Sequence, residues 1–465
     1  MDLKSGLQDH SSYPNASHCM MHIKLYEAFA QLIKDGEALV AAKARNSGMP
    51  FTKNAEIKQH YLALATERFK LWWNTFTDCS NVVLTVDNLP PLDVLLVWHS
   101  YLLTPLIYWE DCMRTGKRGL WEAEFPWIAL LETIDDETHQ FKPSLDAQEH
   151  FQKNTGSYFS FEKTLSSKLG EAITLVCPFC SADNTTPWRL LSGEGFLDAK
   201  FLKRCQGCGH ILDHRSLPAA KLRSDLIETS SGRPLPGTLS QALNSRKKGL
   251  VSSIMEFVWT TLWGVKEATP SRLTCDFEKV QMLLDEATER GWGGQDNERW
   301  INEQKDLLSP AELSVLDRYW NNRTPDFGLD LYDAIERHQI FLQFESDLEW
   351  AKLDTAMYTL SRAVHRYAKF FQLQRLYPET PVSPPWDIDL AWHTHQIYPA
   401  AYFQYSLKQC GTVVDHRVSG LSTSLESVGR ARVHTEELWR RVFGESLIVC
   451  LCSSCAEEAV GDVSR

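Results

Sequence analysis

Cys177-Pro-Phe-Cys180 and Cys205-Gln-Gly-Cys208 are two C-x2-C knuckles separated by 24 residues. Such a turn aims two thiolates at one ion, and four thiolates satisfy the tetrahedral preference of zinc. Because protein supplies all four ligand positions, the predicted zinc is structural and the site closed, with no place for a substrate. Gly209, directly after the last cysteine, allows the turn geometry that points backbone N–H groups at sulfur. His210 and His214 lie just beyond the second knuckle and are read as surface histidines. Cys450, Cys452 and Cys455 form a looser cluster that is read as tail thiols.

A second set of chemistry-capable residues gathers near the C-terminal end. Asp389 and His393 are four apart and share one face of a helix, whereas His393 and His395 point nearly opposite ways on a helix. Asp389 and His393, joined by His365 or His416, could form a metal or acid–base site, and His395 belongs to the same candidate set. The competing reading makes Trp392 and His393 packing residues, the histidine hydrogen-bonded in the core. An iron(II) oxygenase needs His-x-Asp/Glu plus a distant histidine. No His-x-Asp occurs, and His434-Thr-Glu436 is the lone His-x-Glu. Phosphate-binding, dinucleotide-binding, nucleophile-elbow and zinc-protease motifs are likewise missing. No catalytic residue is assigned.

These residues sit in a duplicated unit. Residues 90–108 read PPLDVLLVWHSYLLTPLIY and residues 384–402 read PPWDIDLAWHTHQIYPAAY. Without a gap they share Pro-Pro, Asp93/Asp387, Leu96/Leu390, Trp98/Trp392, His99/His393, Pro105/Pro399 and Tyr108/Tyr402. Upstream, Arg68-Phe69-x-x-Trp72-Trp73 resembles Arg366-Tyr367-x-x-Phe370-Phe371 if the first copy has four more linker residues. His99 in a copy with no other ligands favours an architectural role for the shared histidine. The second copy adds polar groups, with Asp389 against Leu95, His395 against Tyr101 and His365 against Glu67.

The spacing predicts amphipathic helices from His18 to about Arg45 and from Asn54 to about Phe76. Asp93 and Asp387 are expected to cap short helices, and Pro105 and Pro399 to end them. Helical periodicity is read through 276–376 and again over 424–443. The fold class is therefore mainly α: two related helical units with a small inserted β-type zinc ribbon. The expected boundaries are 18–160 for the first unit, 171–227 for the ribbon, 228–250 for a linker, 251–443 for the second unit and 444–465 for a cysteine-containing tail.

The 465 residues can bury a large core, and 43% hydrophobic with 23% charged residues is ordinary for a globular chain. A net charge of −12 argues against phosphate-backbone binding, which relies on Lys and Arg displacing counterions. With no signal-like N-terminus and no apolar run of membrane-spanning length, the expected location is the cytoplasm, with the nucleus open. Twelve cysteines then suggest metal ligands and reduced thiols. A protein partner docked on the ribbon is expected; nucleic acid and membrane are not.

The twice-used D-x-x-L-x-W-H, the W-H-x-H-Q ending of the second copy and the intervening ribbon resemble the glycine-rich domain-containing protein-like family over roughly residues 20–440. The likeness is greatest to fungal members carrying a C-P-x-C…C-x-x-C-G insertion, including Thr186-Pro187-Trp188 and Lys221-Leu-Arg-Ser-Asp225-Leu. The resemblance implies no established reaction; plant relatives are linked to stress responses and development. Some of those relatives carry RNA-recognition-like and glycine-rich segments, but 24 glycines here make no glycine-rich domain, so RNA binding is not carried over. An oxygenase label on some fungal relatives has no His-x-Asp to support it in this chain. The expected function is an intracellular zinc-binding protein acting as a non-enzymatic binding or scaffold protein, with stress or developmental signalling as its expected setting. The alternative is a metal-dependent enzyme using the Asp/His cluster of the second motif.

Overall fold

A computed structural model of the chain describes residues 3–7, 13–47, 53–177, 179–214, 216–229, 234–239, 315, 318–319, 322–348, 356–378, 380–415 and 425–449. The expectations for His416, for Cys450, Cys452 and Cys455, and for the linker and second unit between 240 and 314 lie outside these residues.

The described chain is mainly helical. Helix α1 spans Leu3–Leu7, α2 Ala16–Ser47, α3 Asn54–Trp73, α4 Leu92–Leu102 and α5 Pro105–Arg114. Short helices α6 (Arg118–Glu122), α7 (Trp127–Thr133), α8 (Leu145–Thr155), α9 (Phe161–Leu165) and α10 (Lys168–Glu171) follow. The ribbon comes next, with β1 (Ala172–Val176) antiparallel to β2 (Asp183–Pro187) and β3 (Lys203–Arg204) antiparallel to β4 (Ile211–Leu212). Helix α11 is Ser216–Thr229; α12 Leu331–Leu348, α13 Ala356–Leu376, α14 Trp386–Gln396, α15 Pro399–Cys410 and α16 Leu425–Phe443 complete the described elements.

Each copy of the motif folds as a helix, a tight break and a second helix opened by proline. Pro105 and Pro399 stand at the first helical position, where a missing N–H costs nothing. The same bonds recur in both copies. Trp98 Nε1 donates to Tyr108 Oη at 3.0 Å, and Trp392 Nε1 to Tyr402 Oη at 2.8 Å. Each tyrosine hydroxyl then donates to a carbonyl twelve residues on, Leu120 at 3.1 Å and Val414 at 2.5 Å. A buried indole and phenol thereby satisfy one another and pin the following loop.

The aspartates do not cap. Pro91 and Pro385 occupy the cap positions, and Asp93 and Asp387 lie inside the first turn, buried. Arg68 Nε donates to Asp93 Oδ2 at 2.6 Å, and Arg366 Nε to Asp387 Oδ2 at 2.7 Å. A charged partner on the neighbouring helix outcompetes the helix's own N–H groups, because a buried carboxylate needs countercharge as well as donors. The pairs confirm the upstream alignment, four extra residues in the first copy included. The Arg68 head also donates from Nη1 to the Tyr158 carbonyl at 2.6 Å and from Nη2 to that of Phe159 at 2.7 Å. Arg366 Nη2 donates to the Leu447 carbonyl at 2.5 Å, so each arginine ties a downstream segment to its own unit.

Helix α2 packs against α13 and α14 of the second unit as well as α3 and α4 of the first, while α12 packs against α2, α3 and α4. The two units thus meet along a seam built from α2 and α12. Among the described residues, the periodicity read through 276–376 is broken at 322–330. There Asn322 Nδ2 donates to the Phe327 carbonyl at 2.6 Å, and Asp330 Oδ1 accepts from the Tyr332 and Asp333 N–H groups at 2.9 and 3.1 Å, starting α12. Side-chain groups that bond nearby backbone compete with helix, which apolar spacing alone does not report.

Candidate metal centre and the histidine seam

The four ribbon cysteines converge. Their Sγ atoms all lie within 4.8 Å of one another. Cys177 and Cys208 are 3.7 Å apart at sulfur, and Cys180 and Cys205 3.6 Å. A zinc–sulfur bond of ~2.3 Å in a tetrahedron requires sulfur–sulfur edges of ~3.8 Å, so the spacing suits this ion.

The two knuckles are built alike. Ser181 N–H donates to the Cys177 carbonyl at 2.8 Å and Gly209 N–H to the Cys205 carbonyl at 2.9 Å. Both residues after the second cysteine have positive φ, +59° for Ser181 and +79° for Gly209, so the glycine reading holds and a serine bears the same geometry in the other knuckle. Gly207 N–H and Asn184 Nδ2 reach Cys205 Sγ at 3.3 and 3.5 Å, and His210 Nδ1 lies 3.3 Å from Cys208 Sγ. N–H groups around Cys205, that of Cys208 foremost, pull its thiol down to about 6. Burial pushes Cys177 up to about 12, so ion binding must expel its proton. His210 stacks on Phe179 with ring centroids 4.2 Å apart, and His214 Nε2 lies 3.2 Å from the Asp198 carbonyl oxygen.

The ribbon is fastened to the first unit. Trp188 is buried, and its Nε1 donates to the Leu169 carbonyl at 2.7 Å. Arg189 bridges Asp198 (3.0 Å) and Gln59 on α3 (2.5 Å). Beyond these anchors the ribbon exposes Val176, Leu190, Leu191, Leu202 and Ile211.

The second candidate set divides. Asp389 Oδ1 is 3.6 Å from His393 Nε2, one helical turn apart as predicted. His393 turns toward α2, where Tyr26 Oη lies 3.3 Å from its Nδ1. His395 points away to Tyr367 Oη, 2.9 Å from its Nδ1, among Tyr13 and Tyr405. His365 is exposed on α13. The helix keeps these histidines in separate environments, and His393 and His395 are both buried.

The residues that do meet His99 and His393 come from elsewhere. His22 of α2 places Nε2 2.7 Å from His99 Nε2 and Nδ1 2.9 Å from Thr394 Oγ1. His338 of α12 packs its ring against both His99 and His393, at centroid distances of 6.1 and 5.5 Å. Burial drives the pKa values of His22 and His99 well below that of a free imidazole, and the neighbouring histidines add to the effect. Sequence reasoning overlooked His22 and His338 because neither lies in the repeated motif. The one available signal was His22 with Tyr26, four apart on the apolar face of a predicted helix.

Residues 297–405 match the family model described as glycine-rich domain-containing protein-like, a span that includes the whole second W-H helix. Glycine-rich domain-containing protein 2 of Arabidopsis thaliana is 31% identical over 132 residues, covering 27% of this chain and 16% of the relative. Glycine-rich domain-containing protein 1 of the same plant is 29% identical over 125 residues, covering 25% and 14%. The matches thus span about a sixth of these relatives or less. No solved structure matches.

Proposed function

We propose that this chain, a member of the glycine-rich domain-containing protein-like family through residues 297–405, is a zinc-binding protein that works as a non-enzymatic binding or scaffold component. The observation carrying this reading is the closed set of Cys177, Cys180, Cys205 and Cys208. A tetrahedron filled by four thiolates leaves an ion no position for water or substrate, so its work is to hold the ribbon's shape. The ribbon's anchored side, at Trp188 and Arg189, fixes that shape relative to the helical body. Its exposed apolar residues give a protein partner a surface to meet, and participation in stress or developmental signalling is the broader role we infer. Among the described residues, His393 and His395 are held in separate buried contacts and His365 is exposed, so the candidate set of the enzyme alternative is divided, with Asp389 near His393 alone.

The test is zinc content of the full chain against a Cys177→Ser/Cys205→Ser variant, with far-ultraviolet circular dichroism alongside. The proposal expects the variant to lose one zinc per chain while its helical signal persists. Unchanged zinc in the variant would overturn it.

A further inference from the structure

Helices α2 and α12 stand upstream of the W-H helices of their units and carry the same signature, Leu25-Tyr26-Glu27-Ala28 and Leu331-Tyr332-Asp333-Ala334. Each follows closely on an aromatic residue, Tyr13 before α2 and Phe327 before α12. We infer that these two lead-in segments are exchanged: each closes the core of the other unit, so the units complete one another reciprocally.

The two aromatics fill equivalent places. In the first unit Phe327 packs on Phe69 and Tyr101, with ring centroids 5.5 and 5.6 Å away, and the Gly328 N–H donates to Asp111 Oδ2 at 2.6 Å. In the second unit Tyr13 packs on Tyr367, His395 and Tyr405, at 5.7, 5.3 and 5.2 Å. Phe69, Tyr101 and Asp111 are the repeat positions of Tyr367, His395 and Tyr405. One site of the repeated unit is therefore filled twice, each time by the lead-in of the other copy.

The crossing continues into the helices. Asp326 pairs with Lys70 of α3, and Glu336 lies 3.7 Å from Lys58 of the same helix. Burial, and then the Glu67 carboxylate of α3, raises the phenol pKa of Tyr332. On the other side the His18 ring meets that of Tyr398 at 5.7 Å, and Tyr26 Oη reaches His393 Nδ1 at 3.3 Å. His22 stands on the boundary, in contact with Thr394 and His99 alike. Helix α2 also holds its own unit, through Lys24 to Asp136 at 2.6 Å and at Gly36, where Tyr61 of α3 leaves no room for a side chain. The exchanged part is thus the lead-in with its first turns. Packed aromatic contacts at these separations stabilise beyond the area they bury, and removing one side of them leaves a cavity in the recipient unit. Displacing the segment that ends at His22 accordingly acts on the second W-H helix, 372 positions away at Thr394.

The experiment is peptide-level amide hydrogen exchange, read by mass spectrometry, on the full chain. Tyr13→Ala should speed exchange in α13, α14 and α15 about 10-fold, while α3, α4 and α5 keep their rates. Phe327→Ala should do the converse, with about 100-fold faster exchange in α3, α4 and α5, because Phe327 is buried and Tyr13 only partly so. Gly328→Ala, whose Cβ would come 3.1 Å from Asp111 Oδ1, is the milder variant should Phe327→Ala not fold, and it should speed exchange in α4 and α5 but not in α13, α14 and α15. That crossed pattern supports the exchange of lead-ins. Acceleration in the variant residue's own unit, equal acceleration in both units, or unchanged rates throughout overturns it.

Discussion

The Arg68–Asp93 pair should carry a large and strongly coupled share of stability. Both side chains are buried, with relative exposures of 0% and 3%. Arg68→Met leaves an uncompensated carboxylate in the interior and strips donors from the Tyr158 and Phe159 carbonyls. Removing one partner of a buried pair costs about 3–5 kcal/mol, and the two lost carbonyl contacts place this variant at the upper end, about 5 kcal/mol. Asp93→Ala spares the carbonyl bonds and should cost about 3 kcal/mol. The double variant Arg68→Met/Asp93→Leu removes both charges, leaving chiefly the Phe159 carbonyl without its donor and that of Tyr158 with Thr164 Oγ1 alone, and should cost about 2–3 kcal/mol. The singles sum to about 8 kcal/mol, so the double-variant cycle should show several kcal/mol of coupling. Urea unfolding followed by tryptophan fluorescence and by circular dichroism measures all four proteins. A cost below about 1 kcal/mol for Arg68→Met, or simple additivity in the cycle, would refute the assignment of this pair as the charge-compensated lock of the first unit.

In the second copy Arg366→Met should cost less than Arg68→Met, because Arg366 holds one downstream carbonyl where Arg68 holds two; the same unfolding assay compares them. Gly209→Ala places a Cβ at φ +79° and should weaken the ribbon by about 1 kcal/mol, whereas Ser181→Gly should be neutral or stabilising; zinc competition with a chromophoric chelator reports both. Acid should destabilise the fold through His22, His60 and His99, whose folded pKa values are depressed by burial. The unfolded chain takes up protons that the folded chain refuses, so stability is full above the unfolded value near 6.5 and falls below it. The slope should approach about 1.4 kcal/mol per pH unit per histidine, and His60→Asn should flatten a plot of unfolding free energy between pH 6.5 and 4.5. Trp392→Phe leaves the Tyr402 hydroxyl without its indole donor and should cost about 1–2 kcal/mol, with amide exchange near Val414 accelerated because the loop is pinned through that hydroxyl.

The ribbon was legible residue by residue, since C-x2-C spacing and the following glycine are local geometry: two thiolates on one turn need no distant partner. The duplication was equally legible: its shared Arg, Asp, Trp and Tyr recur in matching bonds, and its shared Pro opens the matching helices. The partner of the motif aspartate was less so. A near-helix-start Asp reads as a cap in one dimension, and only the packing of α3 on α4 and of α13 on α14 brings the arginines to it.

What the sequence determined by itself is therefore the repeated helical unit, the four-cysteine centre and the opposed directions of His393 and His395, because helical periodicity and knuckle spacing act over a few residues. Tertiary structure alone decided which histidines meet. His22, His99, His338 and His393 lie on four helices and span more than 300 positions of chain, and their convergence depends on α2 and α12 crossing at the seam between the units. Side-chain chemistry at such a seam is set by how two packed surfaces meet, which no local spacing encodes.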